Sequence, residues 1–341
     1  MAVALRSCVF IVMACVLLSQ NAWSQQAVGL RSSILLASPV MAIGDIDSSW
    51  QGPSSGNYAQ ARAVIESYFQ VNQHWALGVE RRWHYLLAFS EDTAQFYSRL
   101  ENNNIENGDY DLSLSINAAS SDGVFAQYFI PLSSYANFWV KVHLLKGSRM
   151  QDGDLVGSGE VSDSNLAYDW QLDYAYDENR IFESPRKHAS AWGYSFDLNM
   201  QVRLNDAQRI VLSLEDVLYS LHWQAIDQDE GCLNRPLTSN CSVYTSRSSY
   251  VQQFPVFAKL HWQYHFDELK TTLEAQAWQR YRALILGVDY GGMQLEVDGI
   301  NEMLNLGYES SRLKVKWGFD KIYISQAKHW QLTLDMNWPI L

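Results

Sequence analysis

Between Tyr194 and Leu204 every second residue is large and apolar: Tyr194, Phe196, Leu198, Met200, Val202 and Leu204. Between them stand Ser195, Asp197, Asn199, Gln201 and Arg203. A period of two held over this length is a β-strand with one greasy and one wet face. The pattern returns as Tyr168, Trp170, Leu172, Tyr174, Tyr176, then as Val256, Ala258, Leu260, Trp262, Tyr264, Phe266, and last as Trp330, Leu332, Leu334, Met336, Trp338. Long strands with aromatic residues near their ends and charges on the alternate face suit a barrel whose outside meets lipid and whose inside meets water. The expected fold is all-β: a transmembrane antiparallel β-barrel of about 14 strands with long extracellular loops.

The first residues read as an export signal. Arg6 supplies a positive start, Ser7–Ser19 an apolar core, and Ala22-Trp23-Ser24 a small-x-small cleavage site before Gln25. The apolar run falls short of the roughly 20 residues that span a bilayer. A lipid anchor at Cys15 is disfavoured, because the run continues past it as Val16-Leu17-Leu18. The expected organisation is a signal over 1–24, an N-terminal segment over 25–57, and a barrel over 58–341. Within the N-terminal segment Ser32–Val40 reads as a strand or plug and Gly44–Gly56 as a loop. No helical segment is expected anywhere after the signal.

The chain carries 25 Lys and Arg against 37 Asp and Glu, a net charge of −12. Loss of Arg6 with the signal leaves 24 − 37 = −13. An acidic chain without a basic stripe is a poor nucleic-acid binder. With 13% aromatic and 18% charged residues, wholesale disorder is excluded. A mean hydropathy of −0.20 suits a barrel, since half of each strand faces water.

From Tyr58 the strands come quickly. Ala59, Ala61, Ala63, Ile65, Phe69 and Val71 share one face, and Trp75, Leu77, Val79, Trp83, Tyr85, Leu87 and Phe89 share another. Arg81 falls on that second face, so a bulge or phase slip is expected at Arg81-Arg82. A phase slip is also expected at Glu215-Asp216, between Ile210, Leu212, Leu214 and Val217, Tyr219, Leu221, Trp223. Tight turns are read at Asn205-Asp206, Gly291-Gly292 and Ser310-Ser311. Long loops are read at Asn102–Asp109, Gly147–Ser158, Asp177–Ala191 and Asp227–Ser249, and such asymmetry is that of outer-membrane barrels.

With these features in place, the mature chain resembles a Gram-negative outer-membrane β-barrel. Tyr194–Leu204 followed by Ile210–Trp223 is similar to a hairpin of the poorly characterised conjugal-transfer TraF-like barrels, whose second strand closes on a tryptophan. The chain ends Trp338-Pro339-Ile340-Leu341, where many such barrels end in an aromatic residue. The resemblance implies an outer-membrane location, with the lipid bilayer and the barrel-insertion machinery as partners.

The wet faces carry the candidate lumen residues: Asp169, Asp173, Asp197, Arg203, Lys259, Arg312, Lys314 and Lys316. Mixed charges of this kind either line a water-filled pore or pair into a network that seals the interior. The leading function is a pore for small polar solutes or a structural component of an envelope assembly. One alternative is a surface lipid hydrolase using His188 and Ser190, whose His-x-Ser spacing is similar to that of outer-membrane lipid hydrolases. That fragment lacks the Asn-Gly that follows the serine there, and Ala191-Trp192 stand instead. A second alternative is a soluble periplasmic protein binding glycans through surface Trp and Tyr. No catalytic residue is assigned, and no metal or cofactor is expected.

Cys8 and Cys15 lie in the signal, which leaves Cys232 and Cys241 in a polar stretch. In an exported chain one close pair reads as a disulfide. Thiol labelling of intact, unreduced cells should therefore leave both unmodified. Ready labelling of both would reopen a metal or redox role.

Overall fold

The computed structural model describes residues 26–45, 56–101, 106–162, 165–179, 189–236 and 241–340. The signal assigned to 1–24 lies outside these residues. Sixteen strand segments form a single antiparallel sheet among them. In chain order these are β1 (Ala27–Ala37), β2 (Tyr58–Gln70), β3 (Trp75–Phe89), β4 (Gly108–Pro131), β5 (Ala136–Ser162), β6 (Asn165–Tyr176), β7 (Ser190–Arg203) and β8 (Gln208–Arg235). They continue as β9 (Val243–Gln253), β10 (Phe257–Phe266), β11 (Leu269–Trp278), β12 (Tyr281–Tyr290), β13 (Met293–Asp298), β14 (Met303–Glu309), β15 (Leu313–Phe319) and β16 (His329–Pro339).

Pairing of β1 with β16 closes the sheet, with Ala27 opposite Pro339. Two staves are built from two segments each. β6 and β7 both pair with β5, β6 along its upper half and β7 along its lower half. β9 and β10 share the far side of β8 in the same way. The result is a closed barrel of 14 staves. Closure removes the sheet edges, which is what lets strands sit in hydrocarbon.

The two mouths differ. At the lower mouth lie both ends of the barrel and the short turns 71–74, 132–135, 204–207, 267–268, 291–292 and 310–312. The upper mouth carries the longer connections 38–57, 90–107 and 320–328 beside the short turns 279–280 and 299–302. Strand lengths differ around the wall as well. β4, β5 and β8 have 24, 27 and 28 residues, whereas β13, β14 and β15 have six or seven. The long strands rise above the rest as a sheet beside the upper mouth.

Several expectations change. The barrel begins at Ala27 rather than at residue 58, because β1 is the stave that joins the last strand to β2. Gly147–Ser158 lies within β5, not in a loop. Its glycines let two strands approach closely: a Cβ at Gly153 would run into the Asp173 carbonyl oxygen. Asp227–Ser249 is mostly the β8–β9 hairpin, bonded through Cys232 and Cys241 with their Cα atoms 5.3 Å apart. Both stretches are hydrophilic because they stand above the apolar band, and wet strands look like loops in sequence. Asp177–Ala191 interrupts the β6/β7 stave, and 180–188 of it lie outside the described residues.

Among the described residues one α-helix is present, α1 (Glu91–Glu101). Ser90 caps it, its Oγ accepting from the Thr93 amide at 3.1 Å, and Phe96 packs under it against Tyr110 and Leu112. Its sequence is mostly polar, which hid it. The register of β3 runs unbroken through Arg81, so no bulge exists there and the side chain stays on the outer face.

The outer faces are the apolar ones expected from alternation. Leu260, Leu286, Leu295 and Leu306 are exposed on the wall. Leu260→Arg, central on its strand, should cost ~2–4 kcal/mol in lipid. Thr333→Arg, which projects into the lumen, should cost under ~1 kcal/mol. Urea unfolding in vesicles measures both, and equal tolerance would mean that the faces are reversed.

Candidate functional site in the lumen

The inward columns change chemistry at one height. On β3 they run upward as Glu80, Arg82, His84 and then Leu86; on β5 as Lys141, His143 and then Leu145. On β11 Glu274 and Gln276 give way to Trp278, and on β1 Arg31 and Ser33 give way to Leu35 and Ala37. A charged layer therefore lies under an apolar one.

The charged layer centres on Asp216. Two bulges put extra residues on β8 opposite β7, between Tyr194/Phe196 and between Phe196/Leu198. Asp216 takes a left-handed backbone, φ 64°, which aspartate tolerates better than most residues. Consecutive Glu215 and Asp216 can then both reach the lumen, which a regular strand forbids. The irregularity expected at this pair is real, but its two extra residues cancel, so the same alternate residues face the lumen on either side of it.

Asp216 Oδ2 accepts from Arg62 Nη2 at 2.9 Å, and its Oδ1 accepts from Arg82. His84 Nε2 stands 3.3 Å from Oδ2, and Ser195 Oγ donates to Oδ1 at 3.3 Å. Arg82 also donates to Glu80 at 2.9 Å. The His143 ring sits between Glu80 at 2.8 Å and Asp197 at 3.0 Å. Around this core Lys141 meets Glu66 at 2.8 Å, Arg62 meets Glu215 at 2.8 Å, and Lys259 meets Glu215 at 2.9 Å. The side chains of Arg82 and Asp216 are each 1% exposed. Burying such charges costs several kcal/mol apiece unless each finds partners, and here they do.

Above them Tyr219, Leu221, Trp223, Phe254, Phe257, Trp278, Tyr281 and Leu145 fill the cross-section. Their polar atoms are mostly used: Trp223 Nε1 donates to Gln252 at 3.0 Å, Trp278 Nε1 to the Pro255 carbonyl at 3.3 Å. His84 joins the two layers, its ring 4.8 Å from Phe254 and 5.3 Å from Tyr219. The two layers together form a septum, and below it two polar cavities remain. One, of about 220 Å³, is bounded by Arg31, Glu66, Lys141, Asp197 and Asp335; the other, of about 160 Å³, by Lys259, Glu274, Glu296 and Lys316.

The candidate lumen residues separate into groups. Asp197, Lys259 and Lys316 lie inside, Lys316 pairing with Glu296 and standing 3.9 Å from Glu274. Lys314 is exposed at the lower mouth, 3.3 Å from Glu309, and Arg203 and Arg312 are exposed there too. Asp169 and Asp173 are not in the lumen: they are exposed on β6, in the sheet above the barrel. Alternation placed them on the correct face but could not give their height. The centre itself was missed. Arg62, Glu66, Glu80, Arg82, His84, Lys141 and His143 alternate with apolar residues along three strands, and that spacing was the available cue. Ser190 opens β7, exposed, while His188 lies outside the described residues. No group of His, Cys, Asp and Glu suited to a metal occurs among the described residues.

No family model matches this sequence, and no curated protein does. Solved structures do match over nearly the whole chain. A FadL homologue of Pseudomonas aeruginosa is 9% identical, covers 93% of this chain and 90% of its own, and has a TM-score of 0.40. The toluene transporter TbuX of Ralstonia pickettii is 9% identical with 93% and 89% covered and a TM-score of 0.35. The Pseudomonas putida toluene transporter TodX is 9% identical with 94% and 90% covered and a TM-score of 0.33. The likeness to conjugal-transfer barrels finds no counterpart in these matches.

Asp216→Ala should strand two guanidiniums in the septum and cost ~3–5 kcal/mol, whereas Ser195→Ala should cost ~1 kcal/mol or less. Tryptophan fluorescence during urea unfolding in vesicles gives both values. Equal, small losses would show that the network does not hold the barrel.

Proposed function

We propose that this chain is an outer-membrane barrel closed at rest, a structural component of an envelope assembly and not an open diffusion pore. The observation that carries this reading is the septum: a paired, buried charge layer beneath a packed aromatic and aliphatic layer. Ions cross neither layer without breaking it, since a bare charge in an apolar layer costs many kcal/mol. The export signal read at residues 1–24, the apolar exterior and the difference between the mouths support a seat in the outer membrane. Both ends of the barrel and the lower mouth then face the periplasm. Its partners on this reading are the lipid bilayer, the machinery that inserts barrels, and other envelope proteins.

A second reading, a gated pore for small polar solutes, is favoured by one specific observation. Two polar cavities lie beneath the septum, large enough for water and small ions, and the septum consists of side chains of the wall. Movement of those side chains would join cavity to upper mouth. Catalysis is not part of either reading, and a soluble glycan binder does not account for the exposed apolar wall.

Planar-bilayer recording tests the proposal. The native protein should show no steady conductance steps, while a Trp223→Ala/Trp278→Ala variant should show them. Steady open-channel steps from the native protein would overturn the closed reading in favour of the pore.

A further inference from the structure

On one side of the barrel charge interrupts the outer apolar columns along one row. On β5 the outward residues run Phe138, Val140, Val142, Leu144 and then Lys146. On β4 they run Ile130, Tyr128, Ala126, Val124 and then Asp122, and on β3 Trp75, Leu77, Val79 and then Arg81. Above Arg81 come the aromatic Trp83 and Tyr85, before Leu87 packs against the cluster of Val40, Met41, Phe89 and Ala94. Pairing sets Arg81 opposite Asp122 and Asp122 opposite Lys146, so three charges form one row across three strands. Ser148 is the extra residue of a bulge, which brings Arg149 opposite Ser120, the next outward position above the row.

All four side chains are exposed, Arg81 at 54% and Asp122 at 59%. Arg81 Nε lies 3.6 Å from Asp122, with its guanidinium 5.0 Å from the centre of the Trp83 ring. Lys146 and Arg149 meet no carboxylate among the described residues. One carboxylate thus stands among three cations. A wall facing hydrocarbon would not keep that surplus, so the height of the row decides its meaning.

Two observations fix that height. From Phe138 to Lys146 the column rises eight residues, about 21 Å along the barrel axis at ~3.4 Å per residue and a tilt of ~40°. The apolar band of such barrels is ~25 Å tall, so the row lies at its upper edge once the long side chains extend outward. Trp192, opposite Lys146 and 57% exposed, and Trp83, opposite Ser120, stand at the same level. Outward-facing tryptophans, here the exposed Trp192 and the half-buried Trp83, mark the headgroup level of a bilayer.

We propose that Lys146, Arg149 and Arg81 form a binding site for the phosphate of an anionic glycolipid in the outer leaflet. The guanidinium of Arg149 offers a planar fork for phosphate oxygens, Lys146 adds a compact charge, and Asp122 orients Arg81 toward the same spot. The upper edge of the band is where headgroup phosphates lie, and there the interaction is screened less than in water. The proposal rests on the outer-membrane reading and adds a ligand class to it.

The test uses the purified full chain in detergent, read by native mass spectrometry. The probes are lipid A with both phosphates, the same lipid A stripped of phosphate, and inorganic phosphate. The phosphorylated lipid should be retained about tenfold better than the stripped one, and millimolar inorganic phosphate should not displace it. A Lys146→Glu/Arg149→Glu variant should fall to the level of the stripped lipid, with Lys146→Gln/Arg149→Gln between. Faster gel migration of unheated samples, together with insertion into vesicles, reports the folded barrel for each variant. Folded, inserted protein that retains both lipids equally, or a charge-reversed variant that still discriminates, overturns the site alone. Displacement by inorganic phosphate would assign the cations to free phosphate and overturn the lipid. Native protein that neither inserts nor shifts on heating overturns the outer-membrane reading and the site with it.

Discussion

The contact of Asp216 with Arg62 and Arg82 is the interaction on which the interior depends. A carboxylate placed in the middle of a barrel, away from water, is tolerated only if donors surround it. Arg62 comes from β2, Arg82 and His84 from β3, and Ser195 from β7, so one side chain of β8 ties three other staves together. Reaching them requires the double bulge. The bulge in turn leaves Asp216–Tyr219 without ladder partners on the β9–β10 side, because pairing stops at Glu215 and resumes at Ser220. That gap is why the far stave breaks at Phe254-Pro255-Val256. Phe254 turns inward there and packs on His84 and Tyr219.

The upper layer comes from the same strand. The two extra residues cancel in the pleat, so odd-numbered residues of β8 face the lumen both below the bulges, as Ser213 and Glu215, and above them, as Tyr219, Leu221 and Trp223. Below, the apolar residues of β8, such as Leu212, stand on the outward column; above, the large apolar residues stand on the inward one. The distortion supplies the anion of the charged layer, and the change of chemistry along the inward column supplies three large members of the apolar layer. The two layers reinforce each other. The apolar cap keeps water from the ion pairs, which strengthens them, and the ion pairs fix the staves at the spacing at which the aromatic rings touch.

Alternation made the barrel and its outer face legible, because lipid-facing columns such as Val256 to Phe266 have no competing demand on them. The irregularity at Glu215-Asp216 was legible for the same reason: the apolar column changes there, although the strand keeps its faces through two cancelling bulges. The slip expected at Arg81-Arg82 looked identical in sequence and proved to be a charge on the outer wall, paired with Asp122 from the next strand. One strand read alone cannot tell a displaced face from a partnered charge. Height was the other illegible quantity. Asp169 and Asp197 occupy equivalent wet positions, yet one stands above the barrel and the other inside it. Register among neighbours sets height, and register is a property of pairs of strands. The glycines and acids of Gly147–Ser158 hid strand β5 because strands beyond the bilayer need no greasy face.

The number of staves explains why closure takes this form. A barrel of about 8 strands is filled by ordinary inward side chains, whereas diameter grows roughly linearly with strand number. With 14 staves, short aliphatic residues alone would leave a water-filled centre. The largest fully buried side chains are the ones that can reach an axis at that distance: Trp223, Trp278, Arg82, Tyr219 and Tyr281. Long cations serve below because their carboxylate partners come from opposing walls and meet them halfway. Rings serve above because no charge there requires a partner. The cavities that persist lie beneath, beside Arg31 and Lys316, where inward residues such as Ser33 and Thr333 are too short to close the gap. Closure at this diameter is therefore a matter of reach, and substitutions that shorten the few side chains crossing the axis change the interior far more than those nearer the wall.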